Sequence, residues 1–203
     1  MSFTGPSVGP GGRTARRALE FGRTYVVRPK GFNVGELSED APDDIEGLDA
    51  VAAHVANLLA AEPADIKLGV GGFSMGAATS LYSATCFAHG KYGNGNTYPA
   101  NLSAVVGLSG WLPCSKTLKS KIEGNNEAAG RAESLPILLC HGKGDDVVPY
   151  KFGEKSSRAL TSNGFKDMTF KSYNGLGHYT IPEEMEEVCA WLTSKLGLNG
   201  RST

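Results

Sequence analysis

Residues Gly72-Phe73-Ser74-Met75-Gly76 decide the fold, because they place a serine between an apolar run and a helix-forming run. The preceding run Ile66-Lys67-Leu68-Gly69-Val70-Gly71 predicts a strand, and the Ala-rich segment 77–88 predicts a helix. The flanking glycines let the backbone turn sharply and hold the Ser74 hydroxyl clear of the sheet. They also leave the amide of Met75 free to face a developing oxyanion. The sequence therefore predicts a nucleophilic serine on a strand-to-helix turn.

An acid and a histidine follow the serine in the chain order of an α/β-hydrolase. Asp145 and Asp146 come directly after the apolar run 136–140, and His178 ends the glycine-rich loop 175–178. A histidine can take the serine proton, and a carboxylate can fix its tautomer. Aspartates are also common in turns, so one of the two is expected to be purely structural. A serine–aspartate–histidine triad with either aspartate fits the order.

The rest of the chain alternates strand and helix patterns. Such alternation predicts an α/β fold, with a mostly parallel sheet and helices on both faces. The polar connection 111–133 is long enough to be a lid or a binding loop. Predicted strands are 24–27, 66–71, 104–108, 136–140 and 168–173, and predicted helices are 43–61, 75–88, 150–162 and 182–196.

Length and composition indicate one domain. The chain has 203 residues, with 40% hydrophobic and 20% charged residues, enough apolar material for one core. Residues 1–23 are basic at Arg13, Arg16 and Arg17 and rich in Gly, Ser and Thr, which predicts a disordered tail. The folded domain is therefore predicted over residues 24–203.

Net charge and the spacing of the cysteines limit which binding partners and which cellular compartment are expected. A net charge of −1 gives no electrostatic reason to expect nucleic acid. No run approaches the roughly 20 apolar residues of a membrane span, so no stable membrane insertion is expected. The four cysteines are widely spaced, which favours reduced thiols and a cytoplasmic location over a disulfide scaffold.

No cofactor or metal is predicted. Segment 69–74 could be a dinucleotide-binding turn, but Ser74 occupies its third glycine position, and no Asp or Glu occurs from Ile66 to Ile122 to bind a ribose. The three remaining histidines, which are His54, His89 and His141, lack a second ligand pair at zinc spacing and are expected to be inert.

Four motifs resemble plant members of the acyl-protein thioesterase and lysophospholipase-like carboxylesterase family, from about Val34 to the C-terminus. This resemblance implies Ser74 as nucleophile, Asp145 rather than Asp146 as acid and His178 as base. It also implies that Trp111 and Leu112 line the acyl-chain site. The motifs are Gly71-Gly72-Phe73-Ser74-Met75-Gly76-Ala77-Ala78, Gly107-Leu108-Ser109-Gly110-Trp111-Leu112-Pro113, His141-Gly142-Lys143-Gly144-Asp145-Asp146-Val147-Val148-Pro149 and Gly175-Leu176-Gly177-His178.

The chain departs from this family at two points. Met75 replaces a commonly found Gln, and only its backbone amide is expected to serve the oxyanion. Between Lys30 and Gly31 the chain lacks a segment with further strands and a His-Gly-Leu-Gly-Asp-type loop, so the fold is predicted to be truncated near its N-terminal strands. In α/β-hydrolases that loop supplies a second oxyanion amide. Loss of one such donor costs about 2.7–4 kcal/mol.

Two hypotheses follow from the resemblance and these departures. The first is a serine hydrolase that cleaves esters or thioesters of apolar acyl groups, with an acylated protein, a lysolipid or a small ester as substrate. Depalmitoylation and carboxylesterase activity both fit it. The second is a catalytically impaired variant that acts as a binding module or is unstable.

Overall fold

The computed structural model describes residue 32 and residues 42–63 and 65–198. The predicted tail 1–23 and the predicted strand 24–27 lie outside these residues. The described strands are β1 Gly69–Phe73, β2 Ala104–Leu108, β3 Ile137–Gly142 and β4 Met168–Tyr173. The described α-helices are α1 Ile45–Ala60, α2 Met75–His89, α3 Leu118–Ile122, α4 Asn126–Ser134, α5 Tyr150–Ser162 and α6 Pro182–Leu196.

The four strands form one sheet in the order β1-β2-β3-β4, and every neighbouring pair is parallel. Within the described ranges, β1 and β4 are its edges. The carboxyl ends of parallel strands point to the same edge of a sheet, so the loops after β1, β2, β3 and β4 lie side by side. The loops that carry the predicted serine, aspartate and histidine are three of these four.

Apolar layers cover both faces of the sheet, which confirms the predicted α/β architecture. Strands β2 and β3 are buried along their whole lengths, so they contribute alternate side chains to each layer. One layer joins Val105 and Leu139 to helices α1, α2, α4 and α5. The other joins Val106 and Leu138 to Val188 of α6 and its neighbours.

The predicted bounds of the first strand of the sheet were wrong. The strand predicted over 66–71 runs from Gly69 to Phe73, because the amide of Ile66 donates to Pro63 in the turn that ends α1. Ile66 is 44% exposed as a result. Ile45, the first residue of α1, is 46% exposed.

The connection 111–133 is more ordered than a loop. It contains the 3₁₀ turn Ser115–Thr117 and helices α3 and α4. Leu118 and Ile122 are buried one turn apart on α3, and the Asn125 side chain accepts a hydrogen bond from the Ala128 amide to begin α4. None of the helices in the described part of the chain is long and apolar enough to cross a membrane.

Helix α6 buries a carboxyl group. Glu184 lies in its first turn, is fully buried, and neither of its side-chain oxygens has a hydrogen-bond partner. Burial raises the pKa of Glu184 to about 7; the Ile181 backbone partly opposes this shift, and the nearby Glu187 carboxylate adds to it. The folded protein therefore keeps a proton on Glu184 at pH values where the unfolded chain has released it.

We predict that the free energy of unfolding falls as the pH rises from about 4.5 to about 7, and that Glu184→Gln removes much of this slope. The stabilising neutral form is fully present below the unfolded pKa and is lost as the pH passes through the folded pKa. Denaturant unfolding at several pH values from 5 to 8 measures the effect. Glu183→Gln, at the exposed neighbouring position, is the control. Equal slopes for Glu184→Gln and wild type would contradict the prediction.

Candidate active site

Ser74 occupies a strained turn between β1 and α2. Its φ of 56° and ψ of −121° lie in a region that non-glycine residues rarely adopt. The Ser74 amide donates to the carbonyl of Leu108 on β2, at 2.8 Å, and its carbonyl accepts from Ala78, at 3.1 Å. These bonds to the sheet and the helix hold the backbone in its strained conformation.

Two glycines make room for this turn. A Cβ on Gly72 would lie 2.3 Å from the carbonyl carbon of Gly76, so the strand and the helix can meet only without a side chain there. A Cβ on Gly110, in the loop after β2, would lie 2.4 Å from the Ala77 Cβ and 3.0 Å from the Ser74 carbonyl oxygen. Close backbone packing on both sides therefore positions Ser74.

The loop after β3 presents the carboxylate of Asp145. The side chain is fully buried, and its Oδ1 accepts from the amides of Val147, at 3.0 Å, and Val148, at 2.8 Å. These bonds leave Oδ2 directed at the neighbouring loop. Asp146 is exposed. The geometry thus separates the two aspartates that the sequence pattern left equivalent.

His178 bridges the acid and the serine. Its Nδ1 lies 2.9 Å from Asp145 Oδ2, and its Nε2 lies 3.0 Å from Ser74 Oγ. Because a carboxylate can only accept, the proton belongs on Nδ1, which leaves Nε2 free to accept from the serine hydroxyl. The Phe73 ring packs against the imidazole with its centroid 4.6 Å away. The three predicted side chains therefore meet although they are far apart in sequence.

The loops of the acid and the histidine are packed against each other. The Gly144 amide donates to the Leu176 carbonyl at 2.9 Å. A Cβ on Gly142 would lie 2.2 Å from that same carbonyl oxygen. This approach brings the His178 ring over Asp145.

Trp111 and Leu112 follow Gly110, the glycine that packs against the Ser74 backbone. Trp111 is half-buried, and Leu112 is buried with its amide donating to Ser156 Oγ of α5 at 2.8 Å. The Phe32 and Trp111 rings meet edge to face, with centroids 6.1 Å apart. These residues form an apolar wall in the loop that begins at Gly110, and the wall packs into the core layer that contains helices α1, α2, α4 and α5.

The first amide of α2 is suited to hold an oxyanion. Met75 follows Ser74 at the start of a 15-residue helix, and the first amides of a helix have no partner within it. The positive end of the helix dipole adds to this effect. The role of the Met75 backbone amide at an oxyanion stays a prediction.

Other nucleophiles and metals are not supported by the described side chains. All four cysteines are free, and burial raises the pKa of the Cys86 and Cys140 thiols to about 12, so both stay protonated at neutral pH. No cluster of three or more His, Cys, Asp or Glu side chains within residues 42–63 and 65–198 could hold a metal ion.

Sequence reasoning missed His141. It was expected to be inert, but it is fully buried beside the acid, with Nε2 2.8 Å from the Val148 carbonyl oxygen and 3.5 Å from Asp145 Oδ2. Its place in the predicted His141–Pro149 motif, next to a buried strand, was the available signal. By contrast, His54 is exposed.

Comparisons with known proteins agree on one family. The family model described as Phospholipase/Carboxylesterase matches residues 21–196. Acyl-protein thioesterase 1 from Gibberella zeae is 32% identical over 83% of this chain and 68% of its own length. The crystal structure of Zea mays acyl-protein thioesterase 2 is 73% identical, with a TM-score of 0.81 over 82% of this chain and 72% of that one.

The coverage of other relatives is lower. A probable carboxylesterase from Oryza sativa is 31% identical over 84% of this chain and 60% of its own length. Acyl-protein thioesterase 1 from Aspergillus fumigatus is matched over only 46% of its length. The chain thus spans about half to two thirds of these curated relatives.

We predict that Gly72→Ala destabilises the protein by about 1–3 kcal/mol, because the new methyl group would overlap the Gly76 backbone. Thermal and denaturant unfolding measure the change. The matched control is Gly130→Ala on α4, an exposed position with no atom within 4 Å of the added Cβ. There the same substitution should stabilise by about 0.5–1 kcal/mol. Equal effects at the two positions would refute the packing argument.

Proposed function

Because the chain belongs to the phospholipase/carboxylesterase family, we propose that it is a serine hydrolase that cleaves ester or thioester bonds of apolar acyl groups. The observation that carries this proposal is the hydrogen-bonded series from Ser74 Oγ to His178 Nε2, at 3.0 Å, and from His178 Nδ1 to Asp145 Oδ2, at 2.9 Å. Such a series activates a hydroxyl that is otherwise a poor nucleophile.

Acylation begins at the serine. Ser74 Oγ attacks the acyl carbonyl carbon while His178 Nε2 takes the hydroxyl proton, and Asp145 stabilises the resulting imidazolium. The carbonyl oxygen becomes an oxyanion, which the Met75 amide can hold. When the tetrahedral intermediate collapses, the bond to the leaving alcohol or thiol breaks and His178 returns the proton to that group.

Deacylation repeats these steps with water. His178 removes a proton from a water molecule, whose oxygen attacks the acyl-serine carbonyl carbon. The second intermediate then releases the free acid, and the proton returns to Ser74 Oγ. The buried Asp145 carboxylate keeps the imidazole in the same tautomer through both halves of the cycle.

The apolar wall in the loop that begins at Gly110 indicates the substrate class. Trp111 and Leu112 are apolar and follow Gly110, which packs against the Ser74 backbone, and an apolar wall at that place would suit a hydrocarbon acyl chain. The relatives from Gibberella zeae and Zea mays are named acyl-protein thioesterases, and the Oryza sativa relative a probable carboxylesterase. We therefore propose an S-acylated protein as the substrate, such as a palmitoylated one, with lysolipids and small esters as the alternatives.

A second candidate is a catalytically impaired binding module. The chain matches less than two thirds of several relatives, and β1, which leads into Ser74, is an edge strand within the described residues. An incomplete oxyanion hole would lower the rate without removing the acyl-chain wall. The hydrogen-bonded triad favours the hydrolase, because an unused site has no need of this alignment.

We predict that a fluorophosphonate probe labels the purified native protein stoichiometrically and that Ser74→Ala abolishes the labelling. The reason is that the probe reacts only with a serine hydroxyl activated by a base. Labelling is read by intact mass, and a thermal melt shows that both samples are folded. Exposed Ser120 provides the control, since Ser120→Ala should label like wild type.

A folded native protein that never labels would reject the hydrolase and favour the binding module. In that case a fluorescent acyl chain should still bind, and Ser74→Ala should not weaken its binding. A protein that labels but does not cleave thioesters would limit the proposal to oxygen esters.

We further predict that Asp145→Asn lowers kcat by about 10⁴-fold, whereas Asp146→Asn changes it little. An amide in place of the triad carboxylate permits the wrong histidine tautomer, which has an effect of about this size in serine proteases. Steady-state hydrolysis of an activated ester measures both variants. Asp146→Asn is the matched control, because Asp145 is buried beside His178 and Asp146 is exposed. A larger fall in kcat for Asp146→Asn than for Asp145→Asn would show that Asp146, not Asp145, is the acid.

A further inference from the structure

The buried ring of His141 is joined to the loop of the acid by one hydrogen bond. His141 lies on β3 and is fully buried, and its Nε2 is 2.8 Å from the carbonyl oxygen of Val148. A carbonyl can only accept, so Nε2 carries the hydrogen. Burial lowers the pKa of His141, which keeps the ring neutral. The ring is therefore an uncharged donor to the far end of the loop.

That loop closes around the Asp145 carboxylate. The Val147 and Val148 amides donate to Asp145 Oδ1, so the segment that His141 holds is the one that orients the acid. The same His141 Nε2 lies 3.5 Å from Asp145 Oδ2, the oxygen that faces His178. At that distance the N–H dipole acts on the carboxylate without taking the hydrogen bond of His178.

Helix α5 leaves space for this ring because it has a glycine, Gly153, at the point of contact. A Cβ on Gly153 would lie 2.3 Å from His141 Nδ1 and 2.9 Å from its Cγ. The Tyr150 ring meets the imidazole at a steep angle, with centroids 6.0 Å apart. Nδ1 is buried and has no hydrogen-bond partner. The α5 backbone at Gly153 therefore lies close to the Nδ1 side of the ring, and a Cβ there would force the ring to move.

We propose that His141 is a positioning residue of the active site: its neutral Nε2–H anchors the Val148 carbonyl and so sets the direction of the Asp145 carboxylate toward His178. This inference rests on the proposed hydrolase function. His141 touches neither substrate nor nucleophile. It acts through the loop, and Gly153 acts with it by leaving space for the ring.

The test compares three substitutions in the full chain. His141→Leu removes the donor, His141→Gln can return an N–H near the position of Nε2, and Gly153→Ala pushes on the unchanged ring. We expect His141→Leu and Gly153→Ala to lower kcat for an activated ester about ten- to hundredfold, as misplacement of a catalytic group by about 1 Å does. KM should change little, because the acyl-chain wall is elsewhere. His141→Gln should recover most of the lost kcat.

Amide exchange provides a readout that does not need activity. Loss of the anchor should speed hydrogen exchange at the Val147 and Val148 amides in His141→Leu and Gly153→Ala, and less so in His141→Gln. If wild type proves inactive, the proposed function fails, but these exchange rates still decide the role of His141. Exposed His54→Gln and Gly130→Ala are the matched controls and should resemble wild type in both measurements.

Unchanged values would overturn the proposal. A folded His141→Leu protein with kcat within twofold of wild type and unaltered exchange at both amides would do so. If His141→Leu does not fold, Gly153→Ala decides in the same way, since its substitution otherwise favours the helix. A His141→Gln protein as slow as His141→Leu would also refute the anchor, because restoring the donor should restore the rate.

Discussion

The approach of the loop after β3 to the loop before α6 is the contact on which the site depends. The Leu176 carbonyl lies so close to Gly142 that a Cβ there would be 2.2 Å away, and it accepts a hydrogen bond from the Gly144 amide. This contact carries the Asp145 carboxylate to the ring of His178. A side chain at Gly142 would separate the loops, and the hydrogen bond of 2.9 Å between acid and base would be lost.

The parallel sheet makes this contact possible. In a parallel sheet all strands end at the same edge, so loops from three strands can supply three different groups to one site. Ser74 follows β1, Asp145 follows β3 and His178 follows β4. The strain at Ser74 is sustained by the same sheet, because its amide bonds to Leu108 on β2. Rigid strands thus hold short loops, and the loops hold the polar side chains.

Buried ionisable groups of this protein differ in how far hydrogen bonds compensate their burial. Asp145 is buried but accepts two backbone amides and one imidazole, so its charge is compensated. Glu184 is buried with no hydrogen-bond partner, and its raised pKa of about 7 reflects the cost. His141 lies between these cases, since one nitrogen is paired and the other is not. The compensated carboxylate of Asp145 takes part in the proposed chemistry, whereas the unpaired carboxyl group of Glu184 makes stability depend on pH.

The sequence by itself determined most strands and helices of this protein, through its local hydrophobic pattern, and the order of the three site residues. Strands 104–108 and 168–173 and helices 150–162 and 182–196 begin and end where their periodicity predicts, because period and turn residues are local properties. The serine turn was recognisable for the same reason. Pattern and chain order left Asp145 and Asp146 equivalent, the family resemblance favoured Asp145, and the tertiary structure brings Asp145 to His178. Only the tertiary structure decided that His141 supports the loop and that α3 and α4 occupy the long connection. These outcomes depend on contacts between residues far apart in the chain, and such contacts arise only when strands and helices pack together.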